Sequence, residues 1–136
     1  MIVADTNLLA YFLLRGAFTD LAERAYARDA DWHAPLLWRS EFRNVLILHV
    51  RHGDLALEEA REILTDAVGL MQGREHTVDP LPVLDRAAVL GCTAYDAEFV
   101  ALAERLGCRL VTSDRRLLAA APHVAVSLDD FARDAT

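Results

Sequence analysis

The chain contains no lysine, and all fourteen of its basic residues are arginine. Catalysis through a lysine Schiff base, a phosphate-loop lysine or the lysine of a phospho-acceptor receiver domain is therefore excluded. No apolar run approaches the roughly 18 residues of a membrane span. The N-terminus also lacks a basic region followed by a cleavable apolar segment. We therefore expect a cytoplasmic protein with no membrane contact.

Positive charge is scarce, because 21 acidic residues outnumber the 14 basic ones and the net charge is −7. Proteins that hold nucleic acid by bulk electrostatics normally present a basic face, so that class is disfavoured. A nucleic-acid enzyme whose positive charge arrives as bound metal is still compatible with this balance. The only cysteines, Cys92 and Cys108, have no metal-like spacing, and we expect buried free thiols.

Strand-like and helix-like segments alternate along the chain, which we expect to form a single domain over residues 1–136. Residues 1–4 and 109–112 are short apolar runs typical of parallel strands covered on both faces. Helical periodicity is strongest over residues 36–51 and 57–71, which are expected to form a helical hairpin. The alternation predicts a three-layer α/β/α sandwich with a central, mostly parallel sheet.

Smaller elements are placed by their cap and turn residues. Thr19 is expected to cap a helix over residues 20–28. Residues 31–35 are expected to be a short strand or extended link, and Pro35 fits the first turn of the helix that follows. Residues 76–79 and 124–126 are expected to be short strands. Residues 80–90 and 95–106 are expected to be helices.

Both of the clearest strands deliver an aspartate at their carboxyl ends, Asp5 and Asp114. In open α/β sheets ligands bind at that edge. Two carboxylates there would repel each other unless they were protonated or bridged by a cation. An alternative applies to each, because an aspartate before a helix often caps it. Asp96 has the same alternative, since Thr93 to Asp96 matches a capping box.

Glu41 lies in the middle of the most apolar helix, with Trp38 on one side and Val45 on the other. An uncompensated carboxylate on such a face costs on the order of several kcal/mol. An arginine from elsewhere in the chain is one compensator. A metal ion is the better one, because hard divalent cations bind carboxylate oxygens.

The acidic residues lie in four short segments: Asp5-Thr-Asn7, Ser40-Glu41-Phe-Arg-Asn44, Thr93-Ala-Tyr-Asp96-Ala-Glu98 and Leu110-Val-Thr112-Ser-Asp114. These segments resemble the ordered motifs of the PIN-domain family, and in particular of the VapC-type toxins of toxin–antitoxin pairs. The resemblance implies a PIN-like sandwich and a ribonuclease that depends on Mg²⁺ or Mn²⁺. It also implies a homodimer that cleaves RNA and is inhibited by a cognate antitoxin.

The same resemblance assigns roles to individual residues. The catalytic and metal-binding residues would be Asp5, Glu41, Asp96 and Asp114. Their supporting neighbours would be Thr6, Asn7, Thr112 and Ser113. Many relatives carry a further acidic residue two positions after the last aspartate, where this chain has Arg116, and this difference favours one metal ion over two.

RNA binding needs positively charged groups near the acidic residues. The candidates are Arg15, Arg39, Arg43, Arg115 and Arg116. For each of them, a solvated surface arginine is the default interpretation. Trp32 and Trp38 could stack on bases, but core packing is the favoured interpretation. The apolar helix over residues 36–50 predicts that an antitoxin segment or a second copy of the chain covers part of it.

Two other functions stay open at this point. One is a PIN-fold adaptor that keeps an acidic pocket but acts only through a binding partner. The other is a metal-dependent nuclease directed at DNA, because discrimination between ribose and deoxyribose depends on contacts that the sequence does not show.

Overall fold

The computed structural model describes residues 1–133, so residues 134–136 of the expected domain lie outside the described residues. Its strands are β1 (Ile2–Ala4), β2 (Trp32–Pro35), β3 (Glu75–His76), β4 (Arg109–Thr112) and β5 (Ala125–Ser127). Its helices are α1 (Thr6–Leu13), α2 (Thr19–Arg28), α3 (Leu37–Arg51), α4 (Leu57–Met71), α5 (Pro80–Leu90), α6 (Ala94–Leu106), α7 (Arg115–Ala120) and α8 (Leu128–Arg133).

The strands form one sheet in the order β3-β2-β1-β4-β5, and every pairing is parallel. The predicted α/β sandwich with a central parallel sheet is confirmed. Strands β2 and β3 lie on one side of β1, and strands β4 and β5 lie on its other side. The order therefore reverses between β1 and β4, and in open sheets this reversal opens a crevice at the carboxyl ends of the strands.

Helices cover both faces of the sheet. Helix α6 packs against β1, β2 and β4, and α5 lies beside it. Helix α1 packs against α2 and α3, while α8 packs against β4 and β5. Helix α1 lies in the connection from β1 to β2, and α6 lies in the connection from β3 to β4, which runs across the sheet in the opposite direction. Because such connections are right-handed, the two helices lie on opposite faces of the sheet. Among residues 1–133, no helix combines the length and the apolarity needed to cross a membrane.

Both tryptophans are core residues, with 1% of Trp32 and none of Trp38 exposed. Trp32 packs edge-on against Phe12 and Tyr26, with ring centroids 5.2 Å and 5.3 Å away. Trp38 packs in the same way against Phe42 at 5.8 Å. The preference for core packing over base stacking is therefore confirmed for both.

The expected strand at residues 31–35 is confirmed by β2, but Pro35 does not lie in the first turn of the next helix, because it is the last residue of β2. The neighbouring amides of Ala34 and Leu36 donate to the β3 side, to the carbonyls of Arg74 and His76. The missing N–H of Pro35 therefore faces the β1 side. Pairing between β1 and β2 has already ended there, at Val3 and His33, so no ladder hydrogen bond is lost.

Thr19 does not cap α2, contrary to expectation. Its hydroxyl donates to the carbonyls of Tyr11 (2.9 Å) and Leu14 (3.2 Å) and accepts from the Gly16 amide at 2.9 Å. The side chain is buried, and it closes the turn between α1 and α2 instead of opening the second helix.

Other boundaries differ by a few residues. Strand β3 covers Glu75–His76 and does not extend to Asp79, because the Asp79 side chain caps α5 by accepting from the Leu81 amide at 3.2 Å. Strand β5 covers Ala125–Ser127. The expectation of free cysteines is confirmed, although Cys92 and Cys108 are only partly buried.

Candidate active site

Asp5 and Asp114 are held together by one threonine at the carboxyl edge of the sheet. Asp5 directly follows β1, and Asp114 lies just beyond β4. The Thr112 hydroxyl donates to Asp5 Oδ2 at 2.6 Å and accepts from the Asp114 amide at 3.0 Å. Thr112 is 1% exposed, so this link is fixed within the core. Both aspartates therefore stand at the crevice between β1 and β4.

The capping interpretation applies to one of these aspartates and not to the other. Asp114 caps α7, because its Oδ1 accepts from the amides of Arg116 at 2.9 Å and Leu117 at 3.2 Å. Asp5 precedes α1, but its side chain makes no capping hydrogen bond. The cap hydrogen bonds that Asp114 makes are therefore absent at Asp5.

Glu41 is brought to this edge by helix α3. The Thr6 hydroxyl donates to Glu41 Oε1 at 2.7 Å, and Thr6 is the residue after Asp5. Among residues 1–133, no arginine forms an ion pair with Glu41, so that alternative is wrong. Arg39 instead donates two hydrogen bonds to Glu75, at 2.8 Å and 2.7 Å, and is thereby engaged away from Glu41.

Asp96 enters from the other face of the sheet, in the first turn of α6. The Thr93 hydroxyl accepts from the Asp96 amide at 3.0 Å, so Thr93 caps the helix as expected. Burial raises the pKa of Asp96, and the charge of Asp114 raises it further. Asp114 is therefore close enough to Asp96 for its charge to affect the protonation of Asp96.

The remaining pKa shifts connect all four predicted acidic residues. Burial raises the pKa of Asp5 most, the hydrogen bond from Thr112 lowers it, and the charges of Asp96 and Asp114 raise it. Burial also raises the pKa of Glu41, where Thr6 opposes the shift and the charges of Asp5 and Asp96 add to it. These mutual shifts indicate that carboxylates from distant parts of the sequence face one another.

A fifth carboxylate, Glu98 on α6, belongs to the same group. Its charge raises the pKa of Glu41, and burial raises its own pKa. Sequence reasoning did not assign it a role. Glu98 lies two residues after Asp96, and residues two apart on a helix point to different sides, so spacing gave no signal. We call Asp5, Glu41, Asp96, Glu98 and Asp114 the acidic cluster.

The predicted supporting residues divide into two pairs. Thr6 and Thr112 each donate a hydrogen bond to a carboxylate of the acidic cluster. Asn7 and Ser113 are exposed, and within residues 1–133 their side chains make no hydrogen bond. The structure therefore brings the two threonines into the site and leaves the other two at its margin.

The donor set fits a hard divalent cation, because it consists of carboxylate and hydroxyl oxygens with a large excess of negative charge. Within the described part of the chain, no basic side chain forms an ion pair with any member of the acidic cluster. No three acidic, histidine or cysteine side chains of residues 1–133 are close enough together to hold one metal ion. A bound cation would therefore have to draw the carboxylates closer to one another.

Comparison with known proteins identifies the family. Residues 2–122 match the family model described as PIN domain, and the chain belongs to this family. It is 33% identical over 121 residues to Ribonuclease VapC3 from Pyrobaculum aerophilum, a match that covers 85% of this chain and 91% of that protein. The chain is therefore a VapC-type PIN protein, and the resemblance inferred from its four motifs is confirmed.

The fold comparison agrees with the family assignment. The crystal structure of PAE2754 from Pyrobaculum aerophilum superposes with a TM-score of 0.76 at 25% sequence identity. The match covers 97% of this chain and 93% of that one. The parallel sheet and its flanking helices are therefore those of a known PIN-type architecture.

Proposed function

We propose that this chain is a VapC-type toxin that hydrolyses RNA phosphodiester bonds, depends on Mg²⁺ or Mn²⁺, and is inhibited by a cognate antitoxin. The observation that carries the proposal is the arrival of Asp5, Glu41, Asp96 and Asp114 at one sheet edge. There the Thr112 hydroxyl joins Asp5 to Asp114, the charge of Asp114 acts on Asp96, and the charges of Asp5 and Asp96 act on Glu41. The similarity to a named ribonuclease supports RNA as the substrate.

The acidic cluster would hold the cation through Asp5 and Asp114, with Asp96 beside them. When bound, a divalent cation makes water more acidic and neutralises the charge that develops on the phosphate. Thr112 positions Asp5, since its hydrogen bond fixes Oδ2, and Oδ1 would be the oxygen that binds the cation. Asp114 uses Oδ1 to cap α7, so its other oxygen is the candidate ligand.

Glu41 would act on the attacking water. In hydrolysis a new bond forms between the water oxygen and phosphorus, the ester bond breaks, and the proton of the water passes to the leaving oxygen. Thr6 occupies Oε1 of Glu41, so Oε2 is the atom that would orient the water and accept its proton. Burial raises the pKa of Glu41, which makes it a stronger base than an exposed glutamate.

Cleavage of structured RNA by the purified chain tests the proposal. We expect fragments with Mg²⁺ or Mn²⁺, none with excess chelator, and recovery when the metal is added back. Cleavage that persists in chelator would contradict metal dependence. Binding of RNA without cleavage would indicate the adaptor, and cleavage of DNA in preference to RNA would indicate the DNA-directed nuclease.

Removal of the Thr6 hydroxyl is expected to change how cleavage depends on pH. Thr6→Val keeps the shape of a buried residue but removes the hydrogen bond that lowers the pKa of Glu41. The pKa of Glu41 should then rise, so the acidic limb of the pH–rate profile moves to higher pH. An ionised, unpaired Glu41 should also cost about 1–3 kcal/mol of stability, which chemical denaturation measures.

Thr65→Val is the matched control for this substitution. The Thr65 hydroxyl donates to the Arg61 carbonyl at 2.9 Å on an exposed part of α4, so its removal should not shift the profile. If Thr6→Val leaves the acidic limb where it is in the wild-type protein, Glu41 is not the titrating base.

The antitoxin would bind between α3 and α4. Trp38, Phe42 and Leu46 of α3 are buried within the chain, so the expected partner surface is narrower than the whole helix. An apolar cleft is left open, lined by Leu46, Ile47, Val50, Leu57, Ala60 and Leu64, with Arg43 and Arg61 beside it. An antitoxin segment that is apolar and has flanking carboxylates would complement this surface.

Ile47→Asp is expected to weaken this interaction, because it places a carboxylate on the floor of the cleft. Co-expression with the product of the adjacent reading frame should then fail to neutralise the toxin, while RNA cleavage by the variant stays at the wild-type rate. Leu48→Asp, on an exposed position of the same helix, is the control. Neutralisation that is equal for both variants would contradict this location.

We also propose the homodimer that the resemblance implies. Helix α5 exposes Leu81, Leu84 and Val89 to 70%, 64% and 74%, which is unusual for large apolar side chains and provides a face that a second copy can cover. Light scattering of the purified chain tests this proposal, and a monomer at all concentrations measured would overturn it.

A further inference from the structure

A cleft of about 450 Å³ opens directly beside the acidic cluster. Asp96 and Arg116 are among the residues that line it, and Leu90, Ala119 and Ala120 supply apolar surface. It therefore combines one member of the proposed catalytic group, one positive charge and an apolar floor. Its volume is within the range of about 300–1,000 Å³ that small-molecule sites occupy.

Arg116 has no partner for its charge within residues 1–133. Its backbone amide donates to Asp114 Oδ1, but its guanidinium makes no ion pair or side-chain hydrogen bond in this range. Arg39 and Arg86, by contrast, form ion pairs with Glu75 and Glu104. Arg116 also does not neutralise Asp96, whose pKa is set by burial, Asp114 and Thr93.

We infer that this cleft is the subsite for the nucleotide next to the scissile phosphate, and that Arg116 binds a phosphate of that nucleotide. The inference rests on the proposed function. Arginine recognises phosphate through two parallel hydrogen bonds, and the apolar floor offers a surface to a base or ribose. In a chain with a net charge of −7, one such contact beside the acidic cluster would set the register of the RNA.

Arg116→Gln tests the contact through RNA binding measured without cleavage. The probe is a short, mixed-sequence, single-stranded RNA with a fluorescent label, titrated with the full chain in chelator. We expect binding to weaken about tenfold, and the slope of log affinity against log salt to fall by about 0.7, the value for one phosphate on a single strand. Arg24→Gln, an exposed arginine on α2 with no ion pair in residues 1–133, should change neither quantity.

Ala119→Phe tests the contribution of the cleft to RNA binding separately from the contribution of the Arg116 charge. Ala119 is exposed, so the larger side chain fills the cleft without disturbing the core or the net charge. In the metal-dependent cleavage assay, both Arg116→Gln and Ala119→Phe should raise KM about tenfold, with kcat changed less than about threefold. Arg116→Lys should recover part of the loss, because lysine restores the positive charge but cannot make the two parallel hydrogen bonds of a guanidinium.

Each outcome has a distinct meaning. Equal losses in Arg116→Gln and Arg24→Gln, or wild-type KM in Ala119→Phe, would overturn the subsite and leave the proposed function standing. Binding that depends on Arg116 in a chain that cuts no RNA would overturn the proposed function, and with it a subsite beside a scissile phosphate, while leaving an RNA contact at Arg116. Failure of the wild-type chain to bind the labelled RNA, together with a wild-type KM in Arg116→Gln, would overturn the subsite directly.

Discussion

Asp5→Asn should reduce RNA cleavage by more than roughly a hundredfold, because it removes a charged ligand from the proposed metal site. Asparagine has nearly the same shape as aspartate and can still accept the Thr112 hydrogen bond, so the fold should be retained. In the absence of metal the variant should even be more stable than the wild-type protein, by roughly 1 kcal/mol. Cleavage assays and chemical denaturation measure the two effects.

The gain in stability should depend on pH in a defined direction. Burial raises the pKa of Asp5 above its ordinary value of 3.8, so the unfolded chain ionises before the folded one as pH rises. The folded wild-type protein is therefore penalised at neutral pH, and the penalty disappears below pH 3.8. The advantage of Asp5→Asn should disappear over the same interval.

Asp66→Asn provides the control, because Asp66 is exposed on α4 and the charge change is the same. It should retain wild-type cleavage and wild-type stability. Wild-type cleavage by Asp5→Asn would remove Asp5 from the site. Equal stabilisation by both substitutions would show that net charge, and not the acidic cluster, is responsible.

Trp38→Ala should destabilise the chain by about 3–5 kcal/mol, the usual cost of truncating a large buried aromatic residue. Trp38 is completely buried, packs against Phe42, and donates its indole N–H to Glu75 Oε1 at 2.9 Å. The loss is a large part of the roughly 5–15 kcal/mol by which domains are stable. Since α3 also carries Glu41, cleavage should fall at temperatures where the variant is partly unfolded.

Two further variants locate the source of this effect. Trp38→Phe keeps most of the packing and loses the hydrogen bond to Glu75, so about 1 kcal/mol should be lost. Leu48→Ala, at a residue 44% exposed on the same helix, should stay within about 0.5 kcal/mol of the wild-type protein. A Trp38→Ala protein as stable as Leu48→Ala would contradict the described core.

Much of this fold could be predicted because its signals are local. Leu57–Met71 and Arg109–Thr112 have the predicted bounds, since apolar periodicity and a short apolar run each identify the element without tertiary information. Asp5 and Asp114 were marked by their position after strands, and Glu41 by its apolar surroundings. These features depend on a few neighbouring residues and can be read from one sequence.

The features that could not be predicted depend on distant partners. Pro35 is tolerated in β2 only because pairing with β1 stops before it. The Thr19 hydroxyl does not cap α2, because it donates to the carbonyls of Tyr11 in α1 and of Leu14 just after it. Arg39 donates hydrogen bonds to Glu75. Glu98 belongs to the acidic cluster only because the fold brings it near Glu41. No local pattern encodes these four relationships.

Anomalous scattering from crystals grown with Mn²⁺ would show most directly whether remote acidic side chains share one cation. We predict a manganese peak bound by Asp5 and Asp114, with Asp96 or Glu41 completing the shell, and no peak in Asp5→Asn crystals. Manganese found only elsewhere on the surface, or a Glu41 carboxylate too distant to reach the ion directly or through one water, would contradict it.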